Sequence, residues 1–192
     1  MNMKFFSILV LLCTLSACEK HSAMRSYEEV VIESSLVKAK AESQLPYVWT
    51  KPADWTEESG NALRLATFKS TAEPAAMDCS IVFFPNWRGN VEENLNRWLG
   101  QLQITPPSGI SVVEYFKKEG AVQTLNSLNG NLAFELYDFT QVQKSSAPAT
   151  PSMIAATLIT PDGAFFIKMT GTKEKVEANT KSFLNLVQSV HP

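Results

Sequence analysis

The sequence predicts an α+β fold, with a single antiparallel-rich sheet of about six strands and helices packed on it. Two observations predict this class. Runs rich in β-branched and aromatic residues occur in pairs joined by short turn-forming segments, which is typical of antiparallel hairpins. Two segments with helical periodicity, one in the middle of the chain and one at its end, supply the helices. The 192 residues contain no internal repeat and suffice for one domain with its own core.

Residues 1–17 are typical of a secretory signal. Lys4 precedes an apolar run over residues 5–12, which is too short to span a bilayer because a spanning helix needs about 20 apolar residues. The run is followed by Leu-Ser-Ala-Cys, ending at Cys18, which resembles the lipobox of bacterial lipoproteins. The resemblance implies cleavage before Cys18 and lipidation of its thiol and of the new amino terminus. The alternative is an ordinary signal peptide that ends near a cysteine.

The lipobox resemblance implies a position in the bacterial cell envelope, anchored to a membrane through the lipid on Cys18 and facing the periplasm. In such lipoproteins an Asp after the lipidated cysteine tends to retain the protein in the inner membrane. Glu19 occupies that position here, which favours the outer membrane. Residues 18–45 fit no regular periodicity and are interpreted as the lipidated cysteine and a tether. The globular α+β domain is expected over residues 46–192.

The sequence of the first half of the domain predicts three strands. Residues 47–50 indicate a strand, followed by a turn that contains Trp55. Alternating apolar residues predict a strand over 62–69, and an aromatic-rich run predicts another over 77–84. The Pro-containing loop 70–76 between them predicts an antiparallel pair.

A helix is predicted over residues 90–102. Asn90 is a good N-cap, and Glu93 stands where a capping box would place it. The helix carries an apolar stripe made of Val91, Leu95, Trp98, Leu99 and Leu102. After it, residues 111–119 suit either a short helix or an irregular connection.

The second half predicts two hairpins and a terminal helix. Asn-Gly-Asn at 129–131 supplies the positive φ angles that a tight hairpin turn requires, between strands over 121–128 and 132–139. A mobile loop over 140–152, rich in Ser, Ala, Thr and Pro, leads to the second hairpin. Its strands, 153–160 and 164–170, flank Pro-Asp-Gly, and the chain closes with a helix over 173–190.

Composition excludes several function classes. The net charge is −2 and no run of basic residues occurs, so nucleic acid is not an expected partner. Cys79 is the one cysteine left outside the signal and the lipobox, which leaves no disulfide within the monomer. It lies in a strand-like run, where a lone cysteine usually behaves as a small buried hydrophobe.

No catalytic, metal or cofactor site is expected. The two histidines, His21 and His191, lie in the tether and next to the last residue, which argues against Ser-His-Asp, Cys-His and most zinc-hydrolase sites. Glu135 and Asp138 are three positions apart in a strand, so they point to opposite faces and make a poor acid–base pair. Asp162 belongs to a turn and has no carboxylate companions for calcium.

The middle helix carries one candidate binding surface. Trp98 has amides beside it and a guanidinium further round, a combination that suits an extended peptide or a glycan. The alternative, which the apolar stripe favours, places Trp98 in the core, with the amides satisfying backbone groups of a neighbouring loop. Before this helix, an exposed Trp in the loop would be a partner anchor, whereas the alternative folds that Trp over the helix start. The candidate residues are Trp87, Arg88, Asn94, Arg97, Trp98 and Gln101.

Several motifs together resemble a family of uncharacterised bacterial lipoproteins and secreted proteins. The motifs are Pro52-Ala53-Asp54-Trp55, Arg64-Leu65-Ala66-Thr67-Phe68, Asn94-Leu95-Asn96-Arg97-Trp98-Leu99-Gly100-Gln101 and Lys168-Met169-Thr170-Gly171. The family layout is P-x-x-W, R-x-A-x-F, N-x-x-R-W-x-x-Q and K-x-T-G. More distantly, the order of strands and helices resembles the PsbP-like α/β/α sandwich. Members of that class are mostly extrinsic, non-enzymatic partners of membrane complexes.

Anchor, composition and resemblance lead to one functional hypothesis with two alternatives. The hypothesis is a membrane-tethered, non-catalytic module that binds or assembles a protein or an envelope polymer. One alternative is a carrier of a small apolar ligand, which would require an enclosed apolar cavity of several hundred cubic ångströms. The other is an envelope enzyme with carboxylate, Lys or Ser chemistry. It would require a deep polar pocket that holds two ionisable groups within hydrogen-bond distance of each other.

Overall fold

Seven strands form one sheet in which every neighbouring pair is antiparallel. The computed structural model describes residues 47–60, 63–71, 77–145, 147 and 149–192. The signal, Cys18, the tether and His21 lie outside the described residues. In spatial order the sheet is β1-β2-β3-β7-β6-β5-β4. The strands are β1 (Trp55–Ser59), β2 (Ala66–Ser70), β3 (Asp78–Pro85), β4 (Val122–Asn126), β5 (Ala133–Asp138), β6 (Pro151–Thr160) and β7 (Gly163–Thr172).

Four helices among the described residues complete the fold and confirm the predicted α+β class. They are α1 (Val91–Gln101), α2 (Val112–Lys118), α3 (Phe139–Val142) and α4 (Lys173–Ser189). The seven observed strands roughly match the six or so predicted, although the strand predicted over 62–69 begins only at Ala66. The terminal helix and both hairpins lie where the sequence places them.

The sheet is buried on both faces, which makes an α/β/α sandwich. Alternate side chains of the strands point to opposite faces. One face packs against α4 through buried residues that include Phe68, Phe165 and Phe183. The other face packs against α1 and α2 in a second cluster, which includes Phe116 and Phe166.

Capping explains how α1 and α2 are held together. Asn90 is the N-cap of α1, as predicted, and its side chain accepts a hydrogen bond from the backbone N–H of Glu92 at 2.8 Å. The capping box through Glu93 does not form. Instead the Glu92 carboxylate accepts from the backbone N–H of Val112 at 2.8 Å, at the first residue of α2. Because a carboxylate at a helix N-terminus satisfies an orphan donor, this bond joins the two helices.

Two predictions for the start of the domain are wrong. Residues 47–50 form no strand of the sheet; within them Val48 makes an isolated bridge with His191. Trp55, expected in a turn, instead begins β1. The sequence of β1 hides its conformation because Thr56, Glu57 and Glu58 are all exposed. Charged residues of this kind suit an edge strand, which must avoid pairing with other chains.

Two connections are more regular than expected. Residues 111–119, left open between helix and irregular chain, contain α2 with Ser111 as its N-cap. The mobile loop predicted over 140–152 is wrong at both ends, because Asp138 caps α3 and β6 begins at Pro151. The polar composition of this segment concealed the short helix and its buried Val142.

Gly163 allows β3 and β7 to approach each other. A Cβ atom at this position would overlap the carbonyl oxygen of Phe84 and the ring of Phe83. We expect Gly163→Ala to lower the free energy of unfolding by about 1–3 kcal/mol, since overpacking forces the backbone to shift. Gly100→Ala is the matched control, because a Cβ there meets no atom within 4 Å and alanine favours a helix. Urea unfolding of both variants measures the difference, and equal midpoints would contradict the assigned contact.

Candidate functional site

Three of the segments that the sequence analysis singled out meet on the sheet face that α1 covers. Arg97 and Trp98 lie on α1, Lys168 lies on β7, and Arg64 precedes β2. We call these four residues the cationic face. Trp98 contacts both neighbouring cations: the Arg97 guanidinium carbon lies 5.7 Å from its ring centroid and the Lys168 ammonium lies 5.8 Å from it. These are cation–π distances.

Trp98 is a core residue that also forms the floor of this surface. It is 3% exposed and packs edge-on against Phe139 and Phe166, both with centroids 6.2 Å away. Its indole N–H is buried and has no hydrogen-bond partner. By contrast, the indole of Trp55, buried on the opposite face, donates to Asn179 at 3.1 Å. A buried donor without an acceptor is uncommon and costs free energy, so the Trp98 donor requires an explanation.

Lys168 is a charged residue in the middle of a central strand. Its neighbours Ile167 and Met169 are fully buried on the other face, and Lys168 itself is partly buried. Its ammonium group makes no hydrogen bond or ion pair with any residue that the structure describes. Burial lowers the pKa of Lys168 from its ordinary value of 10.5, and the charges of Arg97 and Arg64 lower it further, opposed by Asp78.

Arg97 is positioned by its own helix. Its Nη2 donates to the side-chain oxygen of Asn94 at 2.8 Å, one helical turn earlier. The expectation that Asn94 and Gln101 satisfy backbone groups of a neighbouring loop is therefore wrong. Asn94 bonds to a side chain, and Gln101 is exposed and makes no bond to a described residue. Asn94 is partly exposed and Gln101 is exposed, and both border the cationic face on α1.

Arg64 and Asp78 form the rim of the surface. Arg64 Nη1 lies 3.0 Å from each carboxylate oxygen of Asp78, and Lys69 lies 3.9 Å from the same carboxylate. Arg64 also approaches the hydroxyl of Thr67 at 3.5 Å. Since Asp78 is shared between these two cations, it is not the dedicated partner of Lys168.

Trp87 and Arg88 lie in the loop before α1, and Trp87 shares Phe166 with Trp98 as an aromatic neighbour. The Trp87 ring packs edge-on against Phe166 at 5.5 Å and lies directly over Gly89, where a Cβ atom would clash with it. This is the folded-over arrangement, and it leaves Trp87 only partly exposed. Arg88 is exposed and its guanidinium approaches the carbonyl of Trp87 at 3.5 Å.

Sequence reasoning named Arg97 and Trp98 as candidates but did not include Arg64 or Lys168. Both stood in quoted motifs, yet nothing in the sequence showed that they meet, because β3 lies between β2 and β7 in the sheet. One signal was present: a lysine within the run Ala-Phe-Phe-Ile-Lys-Met of a strand predicted to be central. A charge rarely occupies such a position unless it has a partner or a function.

An open cleft of about 320 Å³ lies elsewhere, between the residues after α1 and those after α3. Its titratable lining groups are Tyr115 and Lys144. The Tyr115 hydroxyl donates to the carbonyl of Val142 at 3.4 Å, and burial raises its pKa. The cleft is open rather than enclosed, and the sheet–helix interfaces are occupied by buried side chains. It therefore gives no support to the carrier alternative.

Cys79, Glu135 and Asp138 have structural surroundings. Cys79 is fully buried, as predicted, and burial followed by the charge of Asp78 raises the pKa of its thiol well above the ordinary value. Glu135 accepts from the hydroxyl of Tyr137 at 2.8 Å, whereas Asp138 caps α3 through the N–H of Thr140 at 2.9 Å. The two carboxylates thus have separate partners.

Two further observations concern the described residues alone. None of their helices is both long and apolar enough to cross a membrane. Within the same part of the chain, no group of three or more His, Cys, Asp or Glu side chains is arranged to hold a metal ion.

Fold and surface together define an α/β/α sandwich domain with a cationic patch on one sheet face. No protein-family model matches the chain, and no curated protein matches it either. Among solved structures it is distantly similar to cyanobacterial PsbP (CyanoP) from Synechocystis sp. PCC 6803, at 9% identity and a TM-score of 0.43. The similarity covers 76% of this chain and 86% of that one.

Replacing Lys168 with methionine is expected to stabilise the protein. The substitution removes a partly buried charge beside two guanidinium groups, and the thioether can still pack on the Trp98 ring. We expect the free energy of unfolding to rise by about 0.5–2 kcal/mol at pH 7, the range typical of such optimised positions.

The pH dependence of this gain has a definite sign. Because the folded chain binds the Lys168 proton less tightly than the unfolded chain, wild-type stability rises with pH between the lowered pKa and 10.5. The advantage of Lys168→Met should therefore be largest at neutral pH and shrink through that window. Urea unfolding of both proteins from pH 7 upward measures the difference. An advantage that stays constant with pH would contradict this account.

Proposed function

We propose that this chain is a lipid-anchored, non-catalytic binding module of the bacterial cell envelope. It holds a protein or an envelope polymer against the cationic face. One observation carries the proposal: Lys168 is a partly buried cation on a central strand, stacked on the Trp98 ring without a hydrogen-bond or ion-pair partner among the described residues. Such a group adds little to the stability of the fold, whereas a partner with acceptor groups would form hydrogen bonds with the Lys168 ammonium.

The anchor is supported by the lipobox resemblance that ends at Cys18. Two or more acyl chains on one cysteine give stable attachment, since each buried methylene contributes about 0.8 kcal/mol. The non-catalytic assignment is supported by the positions of the described ionisable groups. The carboxylates of Asp78 and Asp138 are engaged in an ion pair and a helix cap, and His191 lies exposed at the end of the chain.

The anchor is tested with Cys18→Ala in the full chain, expressed in a bacterium with two membranes. The wild type is expected in the membrane fraction, released by detergent and not by high salt. The variant is expected to leave that fraction or to remain as unprocessed precursor. A Cys18→Ala protein that fractionates and migrates like the wild type would refute lipid anchoring.

The binding role is tested by site-specific photocrosslinking of the full chain in native membranes. A photoreactive residue at Gln101, which borders the cationic face, is compared with one at Glu177, which is also exposed and lies on α4 in the opposite layer. We expect a discrete adduct from position 101 that is absent from position 177 and weakened by Lys168→Met. Monomer alone from position 101, or the same adducts from both positions, would count against the proposal.

A further inference from the structure

We infer that the cationic face is a binding site for a single oxyanion, a carboxylate or phosphate group carried by the partner. This inference rests on the proposed binding function and adds the chemistry of what is bound. The anion would sit between the ammonium of Lys168 and the guanidinium of Arg97, the two cations that lie over the Trp98 ring.

The sheet register builds a polar row that leads to this point. Thr67 is paired with Ser80 across β2 and β3, and Ser80 is paired with Lys168 across β3 and β7. All three side chains point to the same face because directly paired residues share a face in an antiparallel sheet. Towards the sheet edge, the residue paired with Thr67 is Glu58 on β1. In the other direction, the residue paired with Lys168 is Ala155 on β6. Two hydroxyls and one ammonium thus stand in line on a rigid support.

Two hydrogen-bond donor groups at this site have no acceptor among the described residues. The indole N–H of Trp98 is buried without a partner. The Lys168 ammonium lies over the Trp98 ring and makes no hydrogen bond or ion pair with a described residue. Indole and ammonium groups donate and never accept, so another donor group cannot satisfy them. An oxyanion supplies several acceptor lone pairs on one small group and forms charge-assisted bonds with ammonium and guanidinium groups.

Charge favours the same ligand. Arg97 and Lys168 both lie over one indole ring, and Arg64 acts on Lys168 from the rim. Asp78, the carboxylate that opposes them, is already shared by Arg64 and Lys69. Burial is the main cause of the lowered pKa of Lys168, and the charges of Arg97 and Arg64 lower that pKa further; a bound anion would raise it again.

Arg97 has the geometry needed to present its charge. Its bond to Asn94 holds the guanidinium in place while leaving other N–H donors unused by that contact. A guanidinium donates from five N–H groups in a planar fork, which matches the two oxygens of a carboxylate or of a phosphate. Asn94 is therefore a positioning residue for this site, acting through Arg97.

The test uses the full chain purified in detergent, with its tryptophan side chains labelled with nitrogen-15. The four indole N–H resonances, assigned by single substitution, are followed while acetate, poly-L-glutamate or inorganic phosphate is added at constant ionic strength set by chloride. We expect the Trp98 resonance to move with saturation at one equivalent site. Comparison of the carboxylate probes with phosphate then identifies which oxyanion the site prefers.

Variants separate this site from general charge attraction. Lys168→Met and Arg97→Gln should each weaken anion binding by about tenfold or more, as expected for loss of one charge-assisted contact. Lys118→Met, which removes an exposed cation at the end of α2, should change it less than about twofold. The unfolding midpoint of Lys168→Met, expected to be raised, verifies that lost binding is not lost folding.

Two results would overturn the inference: a Trp98 resonance that no oxyanion shifts beyond chloride, or a shift that Lys168→Met leaves unchanged. Because the titration needs no partner, its failure is distinct from failure of the proposed function. Crosslinking from position 101 without oxyanion binding would support the proposed binding module and refute the oxyanion site. Oxyanion binding without a position-specific adduct would support the oxyanion site and refute the proposed binding or assembly role.

Discussion

Replacing Trp98 with alanine is expected to lower the free energy of unfolding by about 3–5 kcal/mol, the range for large-to-small aromatic changes in packed interiors. The indole is 3% exposed and joins α1 to Phe166 on β7 and to Phe139 on α3. Ordinary domains are stable by about 5–15 kcal/mol, so such a loss would severely weaken this one. The unpartnered indole N–H slightly offsets the loss, since its removal relieves an unsatisfied donor.

Chemical unfolding of the full chain in detergent measures this effect, with Trp87→Ala as the matched control. Trp87 makes the same edge-on contact with Phe166 but remains partly exposed, so its loss should be clearly smaller. Trp98→Phe separates the two roles of the residue. It should retain most of the stability and lose the indole donor. A Trp98→Ala protein with the parent midpoint would remove Trp98 from the core.

The amide substitutions follow from the observed bonds rather than from the sequence. Had Asn94 and Gln101 satisfied buried backbone groups, each alanine variant would lose about 1–3 kcal/mol. Since Asn94 bonds to Arg97 and Gln101 is exposed, both changes should stay within about 0.5 kcal/mol. Asn94→Ala should instead weaken anion binding, because it releases Arg97.

Local signals predicted the elements whose chemistry is local. Asn90 marked the start of α1, and the Asn-Gly turn at 129–131 marked the first hairpin, with Gly130 at φ 74°. The stripe on α1 placed Trp98 in the core. Strand β1 was missed because an edge strand with one buried aromatic, Trp55, shows no alternation of apolar residues.

The site was only half predictable because its parts are far apart in the chain. Arg97 and Trp98 are adjacent in sequence, and their role as candidates followed from one helix. Lys168 and Arg64 reach them through the sheet order, in which β7 lies beside β3 and β3 lies beside β2. A hairpin signal fixes neighbouring strands but not the long crossover that places β7 at the centre of the sheet.

The other large effect is expected at Phe116, which holds α2 in place. Its ring is fully buried and packs against Phe139 at 4.8 Å and Tyr137 at 5.4 Å. A helix of seven residues is not stable alone, because nucleation costs more than so few bonds return. Phe116→Ala is therefore expected to lower the free energy of unfolding by about 3–5 kcal/mol.

Local opening should accompany this loss. When α2 loosens, the bond from Val112 to the Glu92 carboxylate weakens, so the first turn of α1 loses its link to α2. Amide hydrogen exchange should accelerate in α2 and at the start of α1, while α4, on the other side of the sheet, keeps its protection. Phe84→Ala is the matched control, since Phe84 is 42% exposed and the same atoms are removed. If Phe116→Ala cost no more than Phe84→Ala, α2 would be a dispensable connection and not part of the core.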